Sequence, residues 1–128
     1  MIKKYTLLDV VDNSGVSVVK CIHHYFGSNK STSKIGEFIK VSVRKRHYDE
    51  IWVKSKMVTI LRKGKRVKSY IIRTRFKKSK IDNTEMYYTH NSNILLKKRL
   101  TSRGKYAFGC FSYNHGRKKI LGSFPGII

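Results

Sequence analysis

The clearest pattern in the chain is an alternation. Between Phe38 and Lys45, Ile39, Val41 and Val43 alternate with Lys40, Ser42 and Arg44. A period of two places the apolar side chains on one face of a strand and the cations on the other. Tyr5–Val11 is a second run of apolar and β-forming residues, and Val16–Phe26 a third. Asp12-Asn13-Ser14-Gly15 lies between them and is dense in turn formers: Asx side chains bond nearby backbone, and glycine supplies positive φ. Gly27-Ser28-Asn29 ends the third run, and the polar, lysine-bearing stretch Ser28–Lys34 reads as a loop. Met57–Arg62 and Val67–Phe76 flank Lys63-Gly64-Lys65-Arg66, which predicts a hairpin with a basic tip. Met86–Thr89, Ile94–Lys97 and Tyr106–Phe111 are shorter strand candidates. No segment of about 10 residues or more carries a 3.6-residue period. Many short strands separated by turn signals predict a mainly β fold, a small β-barrel whose closure also removes exposed edges.

Length adds that the barrel is the whole chain: 128 residues make one domain with room for one compact core. Charge changes the picture more. Lysine and arginine total 29 against 7 acidic residues, a formal net charge of +22. A hydrophobic fraction of 40% with 12% aromatics is too high for a disordered basic tail. A folded module with this surface repels itself unless a polyanion screens it. Nucleic acid is the first candidate, and an anionic membrane surface ranks last for want of an amphipathic helix. No apolar run reaches the roughly 18 residues of a spanning helix. Asp9 and Asp12 follow the first lysines with no small-residue cleavage site, so the N-terminus reads as mature structure, not a leader. Alanine (Ala107) and proline (Pro125) occur once each while Lys, Ile, Tyr and Asn abound, a bias toward AT-rich codons such as organelle genomes show.

Metal and enzyme readings are poorly supported. There is no CxxC pair, and Cys21-x-His23-His24 lacks a matching second pair. In a strand Cys21 and His23 share one face, so two ligands are conceivable; His47, His90 and His115 are scattered. The carboxylates fall in turns (Asp12, Asp82) or beside cations (Asp49, Glu50, Glu85), not in the cluster a metal-dependent nuclease needs. Cys21–His23 and Cys110–His115 are conceivable dyads with no orienting partner. No Walker loop, GxSxG elbow or HExxH occurs. No cofactor, metal or small-molecule substrate is expected.

Three stretches together resemble the universal large-subunit ribosomal protein fourteen family. The first is Leu8-Asp9-Val10-Val11-Asp12-Asn13-Ser14-Gly15 followed by Val19-Lys20-Cys21-Ile22 and Gly27-Ser28. The second, Ile35-Gly36-Glu37-Phe38-Ile39-Lys40-Val41-Ser42-Val43, resembles the family's V-G-D-x-I-x-V-x-V strand. The third, Lys63-Gly64 with Val67-Lys68 and Ile71-Ile72-Arg73-Thr74, is similar to K-G…K-A-V-V-V-R-T. Asp82, Tyr88, Asn91 and Ile94-Leu95 follow at the family's spacing, then Gly104 and Phe108-Gly109. The match runs nearly end to end and in order. It departs at Asn83 (glycine in the family), Cys110 (proline), Ser69-Tyr70, a longer His47–Leu61 segment and a shortened Tyr113–Lys119.

The resemblance implies a five-stranded, OB-like barrel with a hairpin extension and a little helix near the C-terminus. It also implies binding of large-subunit rRNA at the intersubunit face, beside ribosomal proteins three and nineteen. With it come a bridge to small-subunit rRNA and, in bacterial and organellar members, docking of a ribosome silencing factor. The compartment implied is a mitochondrial or other organellar ribosome, organelle-encoded, with the bacterial cytoplasm as the alternative.

The RNA-binding candidates are cations on strand faces and loops. Lys40 and Arg44 lie on the polar face of the alternating strand, and Lys63, Lys65 and Arg66 cap the basic hairpin. Arg73, Arg75, Lys77, Lys78 and Lys80 lead from a strand into a basic loop; Asn13, Ser14, Asn91, Arg103 and Lys105 complete the set. Arginine grips phosphate bidentately and lysine acts as a mobile point charge. If about 6–10 cations touch phosphate, affinity falls steeply with salt. Trp52, Tyr87, Tyr88, His90 and Tyr106 are candidate stacking surfaces for unpaired bases, although burial tendencies favour a core place for Tyr106 and Phe108. Cys21 reads as packing. The rival is a free-standing OB-like single-strand binder, which the same charge and aromatics allow.

Overall fold

A computed structural model describes residues 1–25, 27, 29–47, 61–110, 120, 122, 124 and 126–127. The strands are β1 (Ile2–Lys3), β2 (Leu7–Val10), β3 (Val16–His24), β4 (Thr32–Ser33), β5 (Phe38–Arg46), β6 (Arg66–Arg73), β7 (Lys78–Ser79), β8 (Glu85–Met86), β9 (Ser92–Leu96), β10 (Tyr106–Ala107) and β11 (Gly126–Ile127). Five of them close a barrel in the order β2-β3-β5-β6-β9. Neighbours run antiparallel except at the seam, where β2 meets β9 in parallel through Asp9↔Ser92 and Val10↔Asn93. Two-stranded pieces β1–β4, β7–β8 and β10–β11 flank it. The fold is mainly β, as the alternation predicts. The Met57–Arg62 strand, Trp52, most of the His47–Leu61 expansion and the expected C-terminal helix fall outside the described residues.

Two apolar clusters hold the barrel. The interior is filled by Leu8, Val10, Val16, Val19, Cys21, Ile39, Val41, Val43, Val67, Ile71 and Leu95, with Ile2 and Leu61 joining them. The second lies outside, where Phe38, Tyr70, Ile72, Ile94 and Leu96 are covered by Ala107, Ile120 and Phe124. This explains why β9 reads Ser-Asn-Ile-Leu-Leu without alternation and is buried at every position: both of its faces are covered. The family departures Ser69 and Tyr70 fit this division. Tyr70 sits in the outer cluster. Ser69 faces inward, donating to Ile94 O at 3.0 Å and accepting from Asn93 Nδ2 at 2.5 Å.

Two sequence expectations are corrected here. A register shift between Cys21 and His23 breaks the alternation, so Cys21 is fully buried in the barrel while His23 is exposed. The bulge inserts a residue and turns the pair to different sides. Tyr106 and Phe108 are 43% and 46% exposed; β10 turns only Ala107 into the outer cluster.

Candidate nucleic-acid interface

The sheet β3-β5-β6 brings cations into register on the barrel's outer surface. Lys20, Ser42 and Arg66 lie opposite one another across the three strands, and so do His23, Lys40 and Lys68. Adjacent strands are about 4.8 Å apart, so the cations of each row are closely set; Ser42, between Lys20 and Arg66, is buried with its hydroxyl turned to a backbone carbonyl. Arg44 extends the same face from β5 and is exposed. Aromatic rings edge the rows. Lys68 Nζ lies 4.8 Å from the centroids of both Tyr25 and Phe38, and Lys20 Nζ lies 4.9 Å from that of Tyr5. These contacts fix long side chains that would otherwise wander, so less entropy is lost when an anion arrives. Among the described residues the ion pairs are Lys30–Glu37 and Lys77–Glu85, and neither lies on this face.

Turns extend the basic surface. Arg62–Lys65 docks on β5: Gly64 N–H donates to Val43 O at 2.9 Å, Val43 N–H to Lys65 O at 3.0 Å and Ser42 Oγ to Gly64 O at 3.3 Å. Gly64 has φ +84°, so glycine allows the turn that presents Lys63 and Lys65. Leu96 lies opposite Lys68, which carries the exposed triplet Lys97-Lys98-Arg99 to the same end of β6. That turn is closed by Lys97 N–H to Thr101 O at 2.8 Å.

Other expected contact residues have internal partners. Arg73 donates from Nε to Cys110 O at 2.8 Å and from a terminal nitrogen to Phe108 O, tying the segment after β10 to β6. Gly109 makes room, since a Cβ there would sit 2.7 Å from that guanidinium. Asn13 Oδ1 accepts from Lys105 N–H at 2.7 Å and Tyr106 N–H at 3.1 Å. Asp12 is buried beside it and accepts from Ser14 N–H at 2.9 Å and Leu95 N–H at 2.8 Å. Burial pushes the Asp12 carboxyl above its ordinary value, against the pull of those hydrogen bonds. Asn91 Oδ1 accepts from Arg75 N–H at 2.9 Å, and Arg103 Nε donates to Leu96 O at 3.3 Å. Asn13 and Arg73 line a common cleft with His47 and Phe108. The remaining candidates, Lys40, Arg44, Lys63, Lys65, Arg66, Lys78, Lys80 and Lys105, have their charged ends free of carboxylate partners among the described residues. Lys77 is held by Glu85 at 2.9 Å, which raises the lysine above its ordinary value.

Sequence reasoning missed Lys20, His23, Lys68 and the Lys97–Arg99 triplet. The triplet was visible as a run of cations between Ile94-Leu95 and the next turn. Lys20 and Lys68 become visible only through cross-strand register, which local pattern does not supply.

The whole-chain comparisons agree with this architecture. The model of the family described as ribosomal protein L14p/L23e matches residues 1–123. The large ribosomal subunit protein uL14m of Tetrahymena pyriformis is 38% identical over 128 residues, 100% of both chains. The uL14 of Carsonella ruddii is 40% identical over 96 residues, 75% of this chain and 71% of that one. The uL14c of Helicosporidium sp. subsp. Simulium jonesii is 29% identical over 131 residues, 100% of both. With a closed five-stranded barrel and a family match over nearly its full length, the chain belongs to the ribosomal protein L14p/L23e family.

Proposed function

We propose that this protein is a structural constituent of the large ribosomal subunit that binds large-subunit rRNA through the outer face of β3-β5-β6 and the turns beside it. The observation that carries the reading is the pair of cross-strand rows, Lys20–Ser42–Arg66 and His23–Lys40–Lys68, in a family whose members are named as large-subunit proteins. The mechanism is charge neutralisation on a rigid template. Phosphates replace condensed counterions along the rows, and the closed barrel keeps the spacing of the cations fixed while RNA segments pack against it. No step requires a catalytic group.

The finer assignments follow the family. The protein lies at the intersubunit face beside ribosomal proteins three and nineteen, contributes a bridge to small-subunit rRNA and receives a silencing factor. Relatives named uL14m and uL14c support an organellar ribosome, and the Carsonella relative keeps a bacterial one open. The test is sedimentation of a native lysate through a sucrose gradient at moderate and high salt, with the protein detected by mass spectrometry. Co-migration with the large subunit after a salt wash is expected. Recovery at the top of the gradient would overturn the reading and favour a free single-strand binder.

A further inference from the structure

The β7–β8 hairpin stands apart from the barrel, with Lys78↔Met86 and Ser79↔Glu85 as its ladder. A lone two-stranded ribbon is marginal in water, yet both ends of this one are fixed. At the tip, Lys80 N–H donates to Thr84 O at 2.8 Å and Asn83 N–H to Lys80 O at 3.1 Å. The Asp82 carboxylate accepts from Thr84 Oγ1 at 2.7 Å and Thr84 N–H at 3.2 Å. Asn83 takes φ +60°, the left-handed turn position that Asn tolerates in place of glycine. At the root, Tyr88 N–H donates to Thr74 O at 3.1 Å and Arg75 N–H to Asn91 Oδ1 at 2.9 Å.

This braced ribbon displays its apolar groups to solvent. Phe76 is 53%, Tyr87 61% and Ile81, at the tip, 105% exposed. Lys78, Lys80 and Arg75 accompany them with no carboxylate partner among the described residues, and both carboxylates of the ribbon are already engaged, Asp82 by Thr84 and Glu85 by Lys77.

We propose that the hairpin is a probe for interrupted RNA helices, with Ile81 as a wedge beside an unstacked or bulged base. Lys78 and Lys80 hold the flanking phosphates, and the exposed Tyr87 ring offers a stacking surface. The cations choose the partner. An apolar protein pocket would cover Ile81 but leave the lysines without anions, whereas RNA offers base faces and phosphates within one ribbon's width. A regular A-form duplex offers no gap for the wedge. This inference rests on the RNA-binding reading above and narrows it to a class of RNA structure.

The test uses the full chain and two labelled RNAs, a perfect duplex and the same duplex with one unpaired adenine. The wild type should prefer the bulged RNA by about five- to tenfold, in the range of one base-stacking contact. I81S should abolish that preference while leaving duplex binding and the urea midpoint unchanged, and I81L should retain it. K78A/K80A should weaken binding to both RNAs and flatten the salt dependence by about 0.9 per lost phosphate contact. A preference that survives I81S, or equal wild-type binding to both RNAs, overturns the wedge and leaves the RNA-binding reading standing. Binding to neither RNA overturns both.

Discussion

Gly104→Ala tests the knot that joins the barrel seam to the C-terminal segment. A Cβ at residue 104 would lie 2.7 Å from Asn13 Oδ1, 2.8 Å from Asp12 Cβ and 3.1 Å from Asn13 N. Two of those atoms belong to backbone or near-backbone positions that no rotamer change can move. Relief requires the 12–13 turn to withdraw, which lengthens the bonds from Lys105 N–H and Tyr106 N–H to Asn13 and from Leu95 N–H to Asp12. Each of the first two is worth about 0.5–1.5 kcal/mol, and a buried donor left unpaired, as Leu95 N–H would be, costs about 1–3 kcal/mol. The expected destabilisation is therefore about 2–6 kcal/mol. Gly15→Ala is the control. Gly15 has φ +84° with nothing within 4 Å of its would-be Cβ, so only backbone strain of about 1–2 kcal/mol applies. Urea denaturation of the three proteins, followed by far-UV circular dichroism at one salt concentration, measures both. If G104A loses no more stability than G15A, the close approach at residue 104 does not hold the seam.

His24 is buried at 1% exposed, with Nδ1 2.7 Å from Ser33 Oγ. Burial, aided by Lys4, His23 and Lys30, holds its imidazole below the ordinary value. The unfolded chain thus takes up a proton at higher pH than the folded one. The stability from His24 is present above about pH 6.5 and is lost as pH falls through the folded value; urea midpoints should drop across that window and flatten in H24Q. Cys21 is buried, which pushes its thiol up to about 11, whereas Cys110 is exposed. Iodoacetamide at neutral pH should label Cys110 in the native protein and reach Cys21 only after denaturation, as peptide mass spectrometry can show. Replacing both Lys40 and Lys68 by Ala should reduce the slope of log affinity against log salt by about 1.4–1.8, measured by fluorescence anisotropy on rRNA fragments. Arg73→Lys loses the forked grip on Phe108 and Cys110 carbonyls and should cost about 1–2 kcal/mol in thermal unfolding.

The β5 strand was legible because its inner face is uniformly aliphatic while its outer face carries Lys40, Ser42 and Arg44, so its alternation survives in the sequence. The ends of β6 and β9 were less so. The Ile71-Ile72 and Ile94-Leu95-Leu96 runs are dry on both faces, and an apolar run alone does not say what covers it. The basic character of the site was visible in the charge count, but its placement was not. The internal partners of Arg73 and Asn13 lie 35 and 92 residues away in sequence, beyond any local pattern. The Cys21–His23 pairing failed for a related reason: a bulge depends on how β5 pairs with β3, not on the residues of β3 alone.

The parallel seam has a consequence for how the chain is made. Asp12 must wait for Leu95, 83 residues further on, before its carboxylate finds the second backbone donor. At translation rates of about 5–20 residues per second, that interval is roughly 4–17 seconds. Until then the nascent chain is a curled open sheet, with β2 and β6 unpaired along the edges that β9 will later bridge. Such edges invite pairing with other chains, and a net charge of +22 opposes that pairing by mutual repulsion.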